Sequence, residues 1–466
     1  MHYNYYYYYY YYITITLWKT VFLQNFPSEY GGYEEIQDFN RWESNGRAGR
    51  GDAVMATRNF RRWGLYERIK QVQKDFPEYL TIETSALASK ILFDGTTATG
   101  IEFLRGRALY KAHRDYNGSQ NAEKVKVYAN YEVIVSGGTF NSPQLLKLSG
   151  IGPKEELEDL GIPVIVDLPG VGENLQDRYE VPLNFKLKEP WGAYTECNFQ
   201  VNASDTCYNQ WKEDGQSLYG TNIIFYWSAK QSSVSELPDL CLFPGMGYFL
   251  GYSPTVVPEA EQNGFQNLVF LALKAFTENH AGTVKLVSDD PRQVPEIIFH
   301  YFEEGSDKEG RDLQAVLEGV KELRRLTSLP ELEELIEEEV GTFANARTDD
   351  EIRQKIRDEA WGHHACCTNK IGRESDPMAV VDGDFKVYGT KRLRIVDASV
   401  FPKIPGYFPL SAIYMFSEKA ADVIIQDALQ GSSGVDCASS FSSSAPNMYL
   451  SSFSLVTICL LLSIFM

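Results

Sequence analysis

Cysteine is scarce in this chain: there are seven in 466 residues, at 197, 207, 241, 366, 367, 437 and 459, and no CxxC among them. That excludes a disulfide-stapled scaffold and the usual zinc spacings. Positive charge is also in deficit, with 44 Lys and Arg against 63 Asp and Glu and a formal net charge of -19. Such a chain repels phosphate backbones, so no nucleic-acid partner is expected. No G-x-S-x-G elbow occurs, which argues against a serine hydrolase of the α/β type. There is no G-x-G-x-x-G either, because Gly46-Arg-Ala-Gly49-Arg-Gly51 has the wrong spacing for a dinucleotide turn. No internal repeat is visible. The last apolar stretch, Phe453 to Met466, falls short of the roughly 20 residues that a spanning helix needs.

What remains is an ordinary folding composition, 44% hydrophobic and 13% aromatic, long enough for two or three domains with sizeable cores. The ends differ from the middle. Residues 1–30 contain an unbroken tyrosine run, Tyr5 to Tyr12, without the basic and apolar regions of a signal peptide. That stretch reads as a low-complexity extension or a misplaced gene start. Residues 429–466 form a serine-rich linker and an apolar tail. Small residues such as Ser439 and Ser440 lie ahead of that tail, as in a glycolipid-anchor signal, so membrane attachment through it is an expectation. Sequons at Asn117-Gly118-Ser119 and Asn202-Ala203-Ser204 fit an extracellular or cell-surface location.

Between the ends, strand-like and helix-like segments alternate. Tyr79 to Thr84, Ala88 to Gly95 and Ala98 to Leu104 read as a small meander turning at Asp94-Gly95. The apolar run Val133 to Val135 enters the turn Gly137-Gly138, and Ser142-Pro143 signals a helix start. Helices are expected over Lys308 to Leu326 and over Asp349 to Ala360, the second capped by Thr348. From Asp177 to about Asn279 the pattern is irregular and aromatic, which suits a sheet-containing substrate region. Trp191, Tyr194, Trp211, Tyr219, Tyr226 and Trp227 could line a pocket there or form core.

Two of the six histidines, His363 and His364, are adjacent in Trp361-Gly-His-His-Ala-Cys-Cys-Thr-Asn-Lys-Ile-Gly372. Their pKa range suits a general base, and a buried hydrogen-bonded pair is the equal alternative. A metal site on His363, His364, Cys366 and Cys367 lacks the usual spacing, and no metal is expected. In Ser136 to Gly152, a strand end, a glycine turn, a helix start and a second glycine turn would let main-chain N–H groups approach a large cofactor.

These segments resemble the glucose-methanol-choline (GMC) flavoprotein oxidoreductases. Gly138 to Gly152 follows that family's second signature, and Leu168 to Asp177, Trp361 to Gly372, Asp376 to Asp382, Leu393 to Pro402 and Ser417 to Asp422 extend the likeness over about Thr81 to Asp427. The resemblance implies an α/β fold in which an incomplete FAD-binding Rossmann-like domain is joined to a second, antiparallel-sheet substrate domain (α+β). It divides the chain into a partial FAD-binding region at 31–176, a substrate-binding region at 177–279, and a region at 280–428 that completes the substrate sheet and returns to the FAD domain.

It further implies FAD as cofactor, a small-molecule alcohol as substrate, an electron acceptor that stays unspecified, and oxidation at CH–OH with hydride passing to flavin N5. Counting back from Gly372, the family's active-site histidine falls on His364, with His363 beside it. Asp397 and Ala398 match the loop that touches the ribityl and pyrophosphate portion, Ala88 a position near the adenine, and Gly138, Pro409 and Leu410 further cofactor-facing positions. Leu410 stands where many members carry a second His or Asn, and Arg178 where they carry His; Tyr407, Ser411 or His363 could supply the missing polar group. Because the G-x-G-x-x-G unit is missing, a truncated or non-catalytic relative that binds no flavin is the alternative function.

Overall fold

In the computed structural model the described residues are 49–52, 56–59, 61–118, 122–190, 197, 204–214, 226–252 and 266–431. The tyrosine run, the serine-rich tail, Asn202, Trp191, Tyr194 and Tyr219 lie outside them. The chain divides into two units: residues 1–68, 178–279 and 301–363 form the first, and 69–177, 280–300 and 364–466 the second. Of the described residues, 49–52, 56–59 and 61–68 fall in the first unit, and the 280–428 stretch contributes to both.

The first unit is built on a six-stranded antiparallel sheet. Its order is Gly49–Asp52, Tyr226–Lys230, Leu240–Met246, Asn267–Lys274, Tyr179–Leu187 and Ile336–Val340. All eight residues of 267–274 are buried, so a central strand that reads as one apolar run is covered on both faces. The helix Arg311–Thr327 lays Leu313, Val316, Leu317, Val320 and Leu323 against Leu183, Leu268, Phe270 and Ala272. Gly319 sets the approach, since a Cβ there would come within 3.1 Å of the Ala272 Cβ.

This helix starts three residues later than the Lys308 expected from periodicity. The Asp307 carboxylate accepts from the Arg311 and Asp312 N–H groups at 3.0 and 2.8 Å, which ends the preceding turn and opens the helix at Arg311. The helix Asp349–Glu359 begins where its cap predicts, with Thr348 and Glu351 bonded reciprocally in a capping box.

The second unit carries a three-stranded meander, Ala86–Asp94, Thr97–Arg105 and Glu123–Tyr128, turning at Asp94-Gly95 with Gly95 at φ +57. Its first expected strand, Tyr79 to Thr84, does not form: the Tyr79 N–H closes a turn on the Phe76 carbonyl at 3.1 Å, Tyr79 is exposed, and residues 80–84 join no sheet. Two short parallel pairs accompany the meander, Ile151–Gly152 beside Val166–Asp167 and Val133–Val135 beside Leu393–Ile395. Arg394, nearly fully buried, ties that pair to Glu132 at 2.7 Å and to Asp427 on the terminal helix Leu410–Gly431 at 2.5 Å. Among the described residues no helix is long and apolar enough to cross a membrane.

The expected helix start at Ser142-Pro143 is corrected: the helix runs Gly138–Leu148, with Pro143 inside it. Proline lacks the N–H that would serve the carbonyl four residues back, that of Thr139. The Thr368 hydroxyl donates to that carbonyl instead, at 2.6 Å, so the interior proline is tolerated through a partner far along the chain.

Candidate functional site

In the second unit the loop after the 393–395 strand meets the start of helix 138–148. Asp397 joins them: Oδ2 accepts from the Gly138 N–H at 3.0 Å and the Ser142 hydroxyl at 2.6 Å, and Oδ1 accepts from the Ser399 N–H at 2.7 Å. A carboxylate at a helix N-terminus answers both the free N–H groups and the positive end of the dipole. Three donors leave part of the carboxylate's acceptor capacity free. Gly138 sits at φ +80, which only glycine adopts readily, and nothing lies within 4 Å of where a Cβ would be.

The segment carrying His364 is fixed through its main chain. The His364 N–H donates to Asp177 Oδ1 at 2.9 Å. Thr139 Oγ1 donates to the Ala365 carbonyl at 2.7 Å, and Cys366 exchanges both main-chain bonds with Gln176. The Cys367 N–H donates to the Ala398 carbonyl at 3.1 Å, the Asn174 amide to the Cys367 carbonyl at 3.0 Å, and the Asn369 N–H to the Ser399 carbonyl at 2.8 Å. The His364 ring is half-buried and lies edge-on to Phe408, centroids 5.5 Å apart. The imidazole thus rises from a firmly tied backbone.

His363 belongs to the first unit, and the chain passes into the second at His364. In the first unit Trp361 stacks on the His363 ring at 5.2 Å, Tyr252 meets it edge-on at 4.6 Å, and Phe249 packs against both Trp361 and Tyr252. The Glu180 carboxylate, almost wholly buried, lies 3.8 Å from His363 Nδ1, and residues 180 and 361 are joined by two main-chain bonds. Desolvation, and then the Arg178 guanidinium, pull the His363 imidazole down to about 4, so it is neutral at pH 7 and its contact with Glu180 is not an ion pair there. Buried Trp361 Nε1 has no hydrogen-bond partner among the described residues.

Ala398 opens a short helical turn and bonds the Cys367 N–H. The Pro409 carbonyl accepts from the Ile413 N–H at 2.8 Å, so 409 and 410 start the terminal helix, with Leu410 half exposed. Tyr407 is buried and Ser411 exposed. Ala88 is core on the three-stranded sheet, opposite Phe103. Cys366 and Cys367 are disulfide-bonded to each other and fully buried, which removes both from any metal-ligand set. Sequence reasoning did not find Thr139, Ser142, Asn174 and Thr368, whose partners are distant in the chain, nor Glu180, Phe249 and Tyr252. A lone acid inside the strand Tyr179–Leu187 was the available signal for Glu180.

FAD can be tested against these residues. The strands Val133–Val135 and Leu393–Ile395 end side by side, and their carboxyl ends lead directly into the Gly138 turn and the Asp397 loop, the position at which α/β sheets bind nucleotides. That arrangement fits the ribityl side of the cofactor. A glycine-rich phosphate turn is not found among the described residues.

Comparison with known proteins identifies the family. Residues 35–180 match the N-terminal and 278–417 the C-terminal model of the GMC oxidoreductases. An oxygen-dependent choline dehydrogenase of Pseudomonas putida (strain F1) is 32% identical over 395 residues, covering 84% of this chain and 64% of the relative. That of Yersinia pseudotuberculosis (strain IP 31758) is 34% identical over 349 residues, covering 74% and 56%. The chain therefore spans less than two thirds of the length of these relatives. A formate oxidase of Aspergillus oryzae RIB40 shares the fold, with TM-score 0.68 at 22% identity over 81% of this chain and 65% of that one.

Proposed function

Because this chain belongs to the GMC oxidoreductase family, we propose that it is an FAD-dependent oxidoreductase that oxidises the CH–OH group of a small alcohol to a carbonyl. The observation that carries the reading is the main-chain anchorage of His364, through Asp177 on one side and through the Cys367–Ala398 bond to the Asp397 loop on the other. FAD, when bound, supplies the acceptor for the hydride leaving the alcohol carbon. Gly138, Asp397 and Ala398 would hold its ribityl portion, Pro409 and Leu410 would face it, and Ala88 would approach its adenine. His364 takes the hydroxyl proton as the carbonyl forms. His363 packs against Trp361 and Tyr252 within the first unit.

The substrate class we infer is an alcohol with a cationic end. The curated relatives named above are choline dehydrogenases. Independently, the first unit gathers Phe249, Tyr252 and Trp361 beside the buried Glu180 carboxylate, and aromatic faces with a nearby acid suit a quaternary ammonium group. The electron acceptor is a separate, unnamed partner. We further propose an extracellular or cell-surface location with attachment through the C-terminal tail; the Cys197–Cys207 disulfide supports an oxidising compartment. Release by a phosphatidylinositol-specific phospholipase would support that attachment, and retention in the membrane fraction after treatment would reject it.

Purified full chain should show flavin absorbance and reduce an artificial acceptor with choline, more slowly with the neutral dimethylbutanol isostere. His364→Ala should lower kcat by about 10²–10⁴ while retaining flavin. A colourless folded protein would establish the non-catalytic reading instead, and an active His364→Ala would remove the base.

A further inference from the structure

Cys366 and Cys367 are neighbours in sequence, both fully buried, and bonded to each other two residues beyond His364. They lie in an apolar cluster with Phe401 and Ile404, against Ala398, Ala412, Ile413 and Phe416. Cys367 also adopts φ +86, a backbone conformation that side chains other than glycine rarely enter. Its N–H and carbonyl are the two groups that bond Ala398 and Asn174. The same residue therefore carries an unfavourable backbone angle, a covalent cross-link and the bonds that tie the His364 segment to the Asp397 loop.

We propose that the Cys366–Cys367 disulfide is a redox switch on this segment: closed, it holds Cys367 in the left-handed conformation and the segment in place; opened by a dithiol, it lets the segment move. In the opening step the dithiol is oxidised to its disulfide while the Sγ–Sγ bond breaks, and each sulfur gains one electron and one proton. Closure is the reverse exchange, with a low-molecular-weight disulfide as oxidant and two thiols as its products. Both sulfurs are covered, so the exchange waits on a local opening and is slow in the folded chain. That the moving segment carries a catalytic base rests on the function proposed above; the thiol chemistry and backbone mobility are read without flavin or substrate.

The full chain, purified without reductant, is quenched in denaturant with an alkylating maleimide and mapped by mass spectrometry. The 366–367 peptide should carry no maleimide, and two after incubation with dithiothreitol. Hydrogen exchange at the Cys367 and Asn369 amides should accelerate roughly tenfold on reduction. Cys367→Gly, which accepts the positive φ and cannot form the bond, should exchange at one rate with or without dithiothreitol. Two free thiols in the unreduced protein would overturn the proposal, as would unchanged exchange after reduction. A Cys367→Gly variant that still responds would assign the effect to Cys197–Cys207 and overturn it too.

Discussion

The six-stranded sheet of the first unit and the longer parallel pair of the second keep their shape by different means. In the first, strands of up to nine residues stack their side chains under one helix, and order comes from a continuous apolar core of which Phe270, Leu183 and Val320 are wholly buried members. In the second, strands of three residues are too short to organise anything alone. They share the second unit's apolar core, and polar side chains add direction to it: Asp397 on the Gly138 N–H, Thr368 on the Thr139 carbonyl, and Arg394 on the Glu132 and Asp427 carboxylates. A site assembled by hydrogen bonds is directional, so it can hold an imidazole at a set position; a packed sheet tolerates substitution better and supplies bulk.

The contrast can be broken at its strongest point first. Phe270→Ala removes a fully buried ring that meets Phe185 edge-on, and should cost about 3–5 kcal/mol in chemical denaturation. A smaller loss would mean that the sheet core collapses around the gap. Next comes Asp312, which burial pushes up to about 7 despite Lys274 and the Glu278 and Asn279 N–H groups. Its folded pKa exceeds its unfolded one, so the folded state holds more protons between pH 4 and 7, and this group's contribution to stability falls as pH rises through that window. Asp312→Asn should remove that fall from the melting temperature profile; an unchanged profile would show that Asp312 does not titrate there. His363, depressed to about 4, has the opposite sign, losing its contribution as pH drops from 6.5, and is common to both proteins compared.

Thr368→Val, in the second unit, keeps shape but leaves the Thr139 carbonyl without its donor beside Pro143, and should cost about 1–3 kcal/mol. Combining it with Pro143→Ala, which restores the helix N–H, should recover part of the loss; no recovery would sink the explanation for the interior proline. The smallest effect is expected at Thr348→Ala, about 1 kcal/mol, since an exposed cap affects only its own helix.

What a single sequence made legible follows the range of the interactions. The Thr348 cap, the Asp94-Gly95 turn and the apolar stripe of helix 311–327 depend on residues within a few positions, and each was readable. The placement of Gly138 and Asp397 in one site came from family likeness, and the direct bond between them is a structural finding. The helix start at Gly138, the clasp of Thr368 on Thr139 and the aromatic group around Glu180 were not readable, because their partners lie far away in sequence and no local period encodes them. Propensity also misled at Tyr79 to Thr84, where a turn closed on Phe76 takes the first residue and the rest joins no sheet.

The longer parallel pair joins Val133–Val135 to Leu393–Ile395, strands on either side of most of the other unit's chain. During synthesis, then, the earlier strand leaves the ribosome long before its partner exists. At about 5–20 residues per second the wait is on the order of tens of seconds, during which a buried valine edge and the Thr139 carbonyl stay unsatisfied. The first unit's segments all precede residue 364, so they are complete while the second still waits for its last segment. Biosynthesis of this chain is thus exposed to chaperones and to aggregation at one defined interval, closed only when the final strand emerges.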